Sequence, residues 1–339
     1  MDAGHSSPAP GAEEAQTGGR SRRPAWFRRA GETANRLASS KVARTVVTLA
    51  ILAIAALLIR AELASTRLAD VMRAIAATPP WAMGLCLVFT AASYGCGAMV
   101  EWYALRFIGK PLPLGRTALA AAGASAVSIA MGFGLASGTA ARLRFYAFAH
   151  LSAADVAKVT GLVSAAIFIT GLATLGLAGL GDLGAVAVRL HWPFWCVALL
   201  SALLLGLLPG WFLLLKRWPG HEGRALRGGG RALCLAAGIG NWMFQGAALF
   251  VLTARSLADF PAVLSAFSFG ALIGSVLGVP ADLGVLDATV LGSRSLGAAH
   301  QTAAALVLFR LIYQALPLTL ATAALTLRPM ARAVRKIAG

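Results

Sequence analysis

The stretch Gly278-Val279-Pro280-Ala281-Asp282-Leu283-Gly284-Val285-Leu286-Asp287 interrupts an apolar region that would otherwise read as one plain membrane helix. It carries a proline, two glycines and two carboxylates. Irregular backbone at membrane depth is tolerated only where protein or a watery cavity covers it, and acids there are costly enough to mark function. Everything around the stretch is apolar: 58% of the 339 residues are hydrophobic, 13% are charged and the mean hydropathy is +0.74. That excludes a soluble domain of this size and predicts an all-α, multi-pass integral membrane protein. The net charge of +17 sits in tails and short loops, where it reads as orientation and contact with anionic headgroups, not as a nucleic-acid surface. Cys86, Cys96, Cys196 and Cys234 lie singly in apolar runs, so neither a disulfide nor a zinc site is expected.

Eight apolar segments are legible. Residues 1–43 form a basic tail without a sustained apolar face, expected to be disordered and cytoplasmic. A signal-anchor span follows from Thr45 to Ile59, and residues 61–78 have the spacing of an amphipathic surface helix. Further segments run from Trp81 to Val100, ending in Glu101-Trp102-Tyr103 at the interface, then Thr117 to Ala136, Val156 to Leu177, Phe194 to Leu215, Arg231 to Thr253, Ala262 to Val279 and Gln301 to Leu327. Residues 44–327 thus make the membrane domain, and 328–339 a short basic cytoplasmic tail.

Two of these segments, 117–136 and 262–279, are rich in small residues and end in broken sequence. If all eight cross from a cytoplasmic N-terminus, Lys and Arg outside the spans divide 17 to 12 between cytoplasm and exterior. If those two instead enter and return on one side, the division becomes 23 to 6, which the positive-inside rule favours. Six full spans and two re-entrant helical segments then form an inverted repeat, an architecture of secondary transporters. At an offset of 145, Leu151-Ser152-Ala153-Ala154 falls on Leu296-Gly297-Ala298-Ala299, and a break at Ser137-Gly138 falls beside that at Pro280 to Gly284.

Three runs carry a resemblance: Ser137-Gly138-x-x-x-Arg142-x-Arg144-x-Tyr146, Val279-Pro280-x-x-Leu283-Gly284-Val285-x-Asp287, and Leu306-Val307-Leu308-Phe309-Arg310-Leu311-Ile312-Tyr313-x-x-x-Pro317. In order and spacing they resemble the signatures of the lysylphosphatidylglycerol synthase transmembrane (flippase) domain family, over roughly residues 45–327. Ala281 and Asp282 stand where that family usually has glycine, and Asp287 where it has Glu. The resemblance implies a lipid translocase of the bacterial inner membrane with both termini cytoplasmic. The best-known members continue into a soluble aminoacyl-transferase domain; this chain stops twelve residues after its last expected span, so a lysyltransferase label would describe that other domain. The implied partner is a membrane phospholipid, anionic or aminoacylated. A separate soluble lipid-modifying enzyme and a homo-oligomer are compatible with it, and no cofactor is implied.

The chemistry of the signatures agrees. Arg142, Arg144 and Arg310 could hold a lipid phosphate through charge-assisted, bidentate hydrogen bonds. Asp282 and Asp287 could meet a cationic headgroup or pair with those arginines, while Gly138, Pro280 and Gly284 free backbone groups for a polar lining. Ser137, Tyr146 and Tyr313 complete the candidate set. The plainer alternatives are that Arg142 and Arg144 snorkel to cytoplasmic phosphates, that Arg310 and Asp287 form a structural ion pair, and that Asp282 faces water. Asn241 and Gln245 have the spacing of a helix–helix hydrogen-bonding pair. The five histidines are scattered over tail and loops, with no H-E-x-x-H, no G-x-S-x-G and no metal cluster, so no enzyme is expected. The Gly132-x-Gly134-x-x-x-Gly138 run lacks the spacing of a dinucleotide loop. A non-transporting scaffold for a lipid or glycan enzyme is the remaining class.

Overall fold

The computed structural model describes residues 73, 76–132, 134–217, 228–253, 256–293 and 299–324. The expected tail, signal-anchor span, nearly all of the amphipathic helix and the C-terminal tail lie outside the described residues. Within them the chain is helical without a strand. In order come α1 (Pro80–Phe107), α2 (Leu114–Met131), α3 (Gly134–Phe145), α4 (Ala153–Gly181), the short α5 (Leu183–Leu190), α6 (Phe194–Arg217), α7 (Gly228–Thr253), α8 (Phe260–Leu277), α9 (Val285–Leu291) and α10 (Ala299–Phe309). A π-helical turn, Arg310–Ala315, continues α10, and helix resumes to residue 324. Among the described residues, seven helices are long and apolar enough to cross a bilayer. Leu199, Leu200, Leu203, Leu207, Leu213 and Leu214 of α6 point outward with a third or more of their surface open. Such a patch belongs in lipid, and the chain is a multi-pass membrane protein.

Two helices are turned back instead of continuing. α2 and α8 both have 18 residues, about 27 Å of helix. Each ends on a left-handed glycine, Gly132 (φ 73°) and Gly278 (φ 67°), whose N–H bonds to the carbonyl four residues earlier. Glycine takes that conformation without the Cβ conflict that other residues meet. The following helix then packs back antiparallel. Gly123 of α2 faces the Phe145 ring, and Gly138 of α3 lies against Ser128 Oγ. In the second case Gly270 of α8 faces Leu286 and Thr289, and Gly274 faces Asp282. The glycines are the space the returning arms occupy.

The two hairpins belong to opposite ends of the bundle. One apolar cluster joins the C-terminal part of α1 (Val100, Tyr103, Leu105) to the first hairpin, the start of α4 (Val159, Val163), the end of α6 (Trp211, Leu215) and the start of α7 (Cys234). A second joins Cys86 near the start of α1 to the end of α7 (Leu249), the second hairpin and Leu306 and Phe309 of α10. Between them α1 and α7 cross closely at Gly97 and Gly240. There Ser93 Oγ donates to the Asn241 carbonyl (3.1 Å), and Asn241 Nδ2 donates to the Ser93 carbonyl (2.9 Å). Small residues and reciprocal polar bonds are how helices associate where lipid supplies no hydrophobic drive.

Two boundaries differ from expectation. The first break is at Gly132 and not at Ser137-Gly138, which lie inside α3. The helix expected to end at Val100 runs on to Phe107, which places Glu101 within it.

Candidate functional site

The second hairpin turns through a tight 3-10 turn, Pro280–Asp282. Ala281 and Asp282 both have left-handed backbone, φ 53° and 52°, costly for residues with a Cβ. The turn is held from two sides. Asp287 Oδ2 accepts from the Gly284 N–H (2.9 Å) at the start of α9 and from Arg310 Nη2 (2.7 Å). Gln314 Nε2 donates to the Ala281 carbonyl (3.2 Å).

Arg310, Tyr313 and Gln314 all lie on the π-helical turn, where the Leu316 N–H reaches the carbonyl five residues back, at Leu311. Pro317 accounts for the widening: its ring crowds the carbonyl of Tyr313 and offers it no N–H. That carbonyl accepts instead from the Tyr94 hydroxyl (3.2 Å). π turns inside α-helices recur at functional sites because they re-aim side chains. Here Tyr313 stacks on Phe309, centroids 5.1 Å apart, and its hydroxyl shares a 3.0 Å hydrogen bond with Ser93 Oγ.

The first hairpin holds its charge in a closed arrangement. Arg142, 4% exposed, donates through Nε and Nη2 to the two oxygens of Glu101, 1% exposed, at 2.9 Å each, and through Nη1 to the Gly138 carbonyl (3.3 Å). Burial opposes the guanidinium charge, and the Glu101 carboxylate outweighs it. Arg142 therefore does not snorkel to surface phosphates. Tyr146 is buried beside this pair, and burial, with the nearby Glu101 carboxylate, pushes its phenol upward.

The hairpin tips touch. A Cβ on Gly132 would sit 2.5 Å from the Pro280 nitrogen. Beside that contact, at the α1–α7 crossing, lies a cavity of about 200 Å³, far above the ~10–15 Å³ that one water needs. Arg142, Asp282 and Tyr313 line it, with Ser128, Asn241 and Gln314. Three of the expected site residues thus line one cavity. The others lie outside the lining: the Gly138 carbonyl accepts from Arg142, Asp287 and Arg310 pair with each other beside the second turn, Pro280 and Gly284 shape that turn, Ser137 and Tyr146 are buried near Arg142 in sequence, and Arg144 closes α3 half-buried. Asp282 lines the cavity and is half-buried. Burial pushes its carboxyl up to about 7 against the opposing pull of Arg310.

Glu101 and Gly132 belong to the site although neither was expected there. An acid six residues inside a helix end obeys the same rule as Asp287, but the aromatics beside it mimic an interface. Asn241 bonds across to α1 and accepts from Gln245 on its own helix, and both also line the cavity. No group of three or more His, Cys, Asp or Glu comes together among the described residues. No protein-family model matches the chain, and no curated protein matches it.

Proposed function

We propose that this protein is a flippase-like lipid translocase of the bacterial inner membrane. It would move a phospholipid, plain or aminoacylated, between leaflets in the manner implied by its resemblance to the lysylphosphatidylglycerol synthase transmembrane domain. The observation that carries this reading is the meeting of two helical hairpins, tip to tip, beside one cavity that Arg142, Asp282 and Asn241 reach inside an apolar bundle. Broken backbone and buried charge at that depth are expensive, and a passing headgroup is the function that makes use of both.

The topology we propose has six crossings and two re-entrant hairpins. Three features support it: each hairpin returns toward the end it came from, the two start from opposite ends, and the inner end then collects the basic loops at 106–116, 142–158 and 216–231. In this arrangement a headgroup lies between Arg142 and Asp282 while the acyl chains stay in lipid. Arg142 is fully engaged by Glu101 and Gly138. A lipid phosphate must therefore exchange with Glu101, an exchange between equivalent carboxylate and phosphate forks that guanidinium geometry allows. The same closed pairing favours a second reading, a scaffold for a separate lipid-modifying enzyme.

Reconstitution in liposomes with leaflet-labelled phospholipids separates the two. The translocase exchanges lipid between leaflets at least ~10-fold faster than protein-free vesicles, a barrier lowered by about 1.4 kcal/mol. Exchange no faster than in empty vesicles leaves the scaffold, and a new lipid product reveals an enzyme.

A further inference from the structure

Five ionisable side chains surround or support the cavity: Glu101, Arg142, Asp282, Asp287 and Arg310. Two arginines are matched by two carboxylates at hydrogen-bond distance, Arg142 with Glu101 and Arg310 with Asp287. Asp282 is the fifth. No hydrogen bond or ion pair to its carboxylate is found among the described residues, yet it lies on the cavity wall with backbone strained into the left-handed region. The neighbours that face it are few. The π turn contributes Arg310, whose Nη2 is taken by Asp287, together with the phenol of Tyr313 and the amide of Gln314. α9 contributes Asp287, α8 contributes Ser275 and the close approach of Gly274, and α2 contributes Ser128. Across the cavity stands Arg142 with Glu101. Ionised, Asp282 leaves the cavity with one surplus negative charge; protonated, it leaves the cavity neutral and presents an O–H donor.

We propose that Asp282 is a proton-binding site, and that its proton sets whether the cavity accepts the phosphate of a lipid headgroup. Like charges in a site of low dielectric repel strongly, so an anionic group enters beside the neutral acid and is opposed by the carboxylate. Burial without a counter-ion of its own raises the affinity of Asp282 for the proton, to a midpoint near 7. The buried hydroxyls of Ser128, which lines the cavity, and of Ser137 on the returning arm find no partner among the described residues. The bearing on transport rests on the translocase reading; the protonation itself does not.

Infrared difference spectroscopy on the purified protein tests the proton site without any lipid movement. A neutral-carboxyl stretch should grow as pH falls through about 7. It should vanish in Asp282→Asn and shift to the glutamic-acid range in Asp282→Glu, which keeps the acid should the amide variant fold poorly. A band unchanged in both variants, or no band in the wild type, overturns the proposal. In liposomes, exchange of a phosphodiester lipid by the wild type should fall about tenfold per pH unit above the midpoint, the slope of one proton, and be flat in Asp282→Asn. A titrating band with pH-independent exchange overturns the coupling. If no lipid moves at any pH, the translocase reading fails while the band still decides the proton site.

Discussion

The first hairpin, α2 with α3, and the second, α8 with α9, have entering arms of equal length and end them on the same kind of glycine, yet they treat charge in opposite ways. In the first, the hairpin supplies the arginine, and both partners of a bidentate pair are 5% exposed or less. In the second, the hairpin supplies the acids, the arginine comes from a π turn, and Asp287 remains 27% exposed. The returning arm of the first has 12 residues and that of the second only 7, after two strained non-glycine positions. A closed, doubly bonded pair fixes geometry, whereas strain beside a half-open pair and a π turn marks an element able to rearrange. The first hairpin reads as the anchor that presents Arg142 to the cavity, its backbone staying in place while the guanidinium exchanges partners, and the second as the working part whose backbone can rearrange.

Substitutions at the ion pairs should separate the two hairpins most sharply. Removing one partner of a buried pair strands the other, a loss of roughly 3–5 kcal/mol. Glu101→Ala, which strands Arg142 at 4% exposure, should therefore lower the unfolding midpoint in detergent more than Asp287→Ala, which leaves buried Arg310 with the Asp282 carboxylate still nearby. Joint replacement of Glu101 and Arg142 by Leu and Met should recover most of the loss. Equal losses from the two single variants would remove the distinction between anchor and working part.

The contact between the tips should give the next largest effect. Gly132→Ala combines left-handed strain of about 1–2 kcal/mol with a collision against the Pro280 backbone. It should destabilise by more than that strain alone and abolish lipid exchange, because the loops cannot yield without parting. An Ala variant with wild-type stability would mean that the tips do not meet. The smallest effect belongs to Ala281→Gly. Relief of left-handed strain is offset by the ~0.5–1 kcal/mol of added chain entropy. Thermal unfolding should then stay within about 1 kcal/mol of wild type or improve, against the losses of other glycine insertions.

Much of this architecture is legible in the sequence, and what is not legible has physical causes. Long apolar runs announce the helices because nothing but lipid tolerates them, and Pro280 with its two acids marks the second turn directly. The first break is hard to place because Gly132, Gly134 and Gly138 are locally equivalent. Only the approach of Pro280 selects Gly132. Glu101 reads as an interface residue because its partner lies 41 residues away, and no local pattern announces such a pair. The π turn leaves a single trace, Pro317, which a helix can also accommodate as a kink. Ser137 and Ala281, natural choices for labelling as loop residues, are in fact buried at 4% and 8% exposure.

That each hairpin enters and leaves on the same face is the central claim, and the first hairpin offers its most direct test. Lys110 and Phe148 flank it and are both exposed. In a background lacking the four native cysteines, single cysteines at Lys110 and Phe148 should both react with a membrane-impermeant thiol reagent only from the cytoplasmic side. If the two positions react from opposite sides, α2 and α3 cross the membrane between them, and the claim is contradicted.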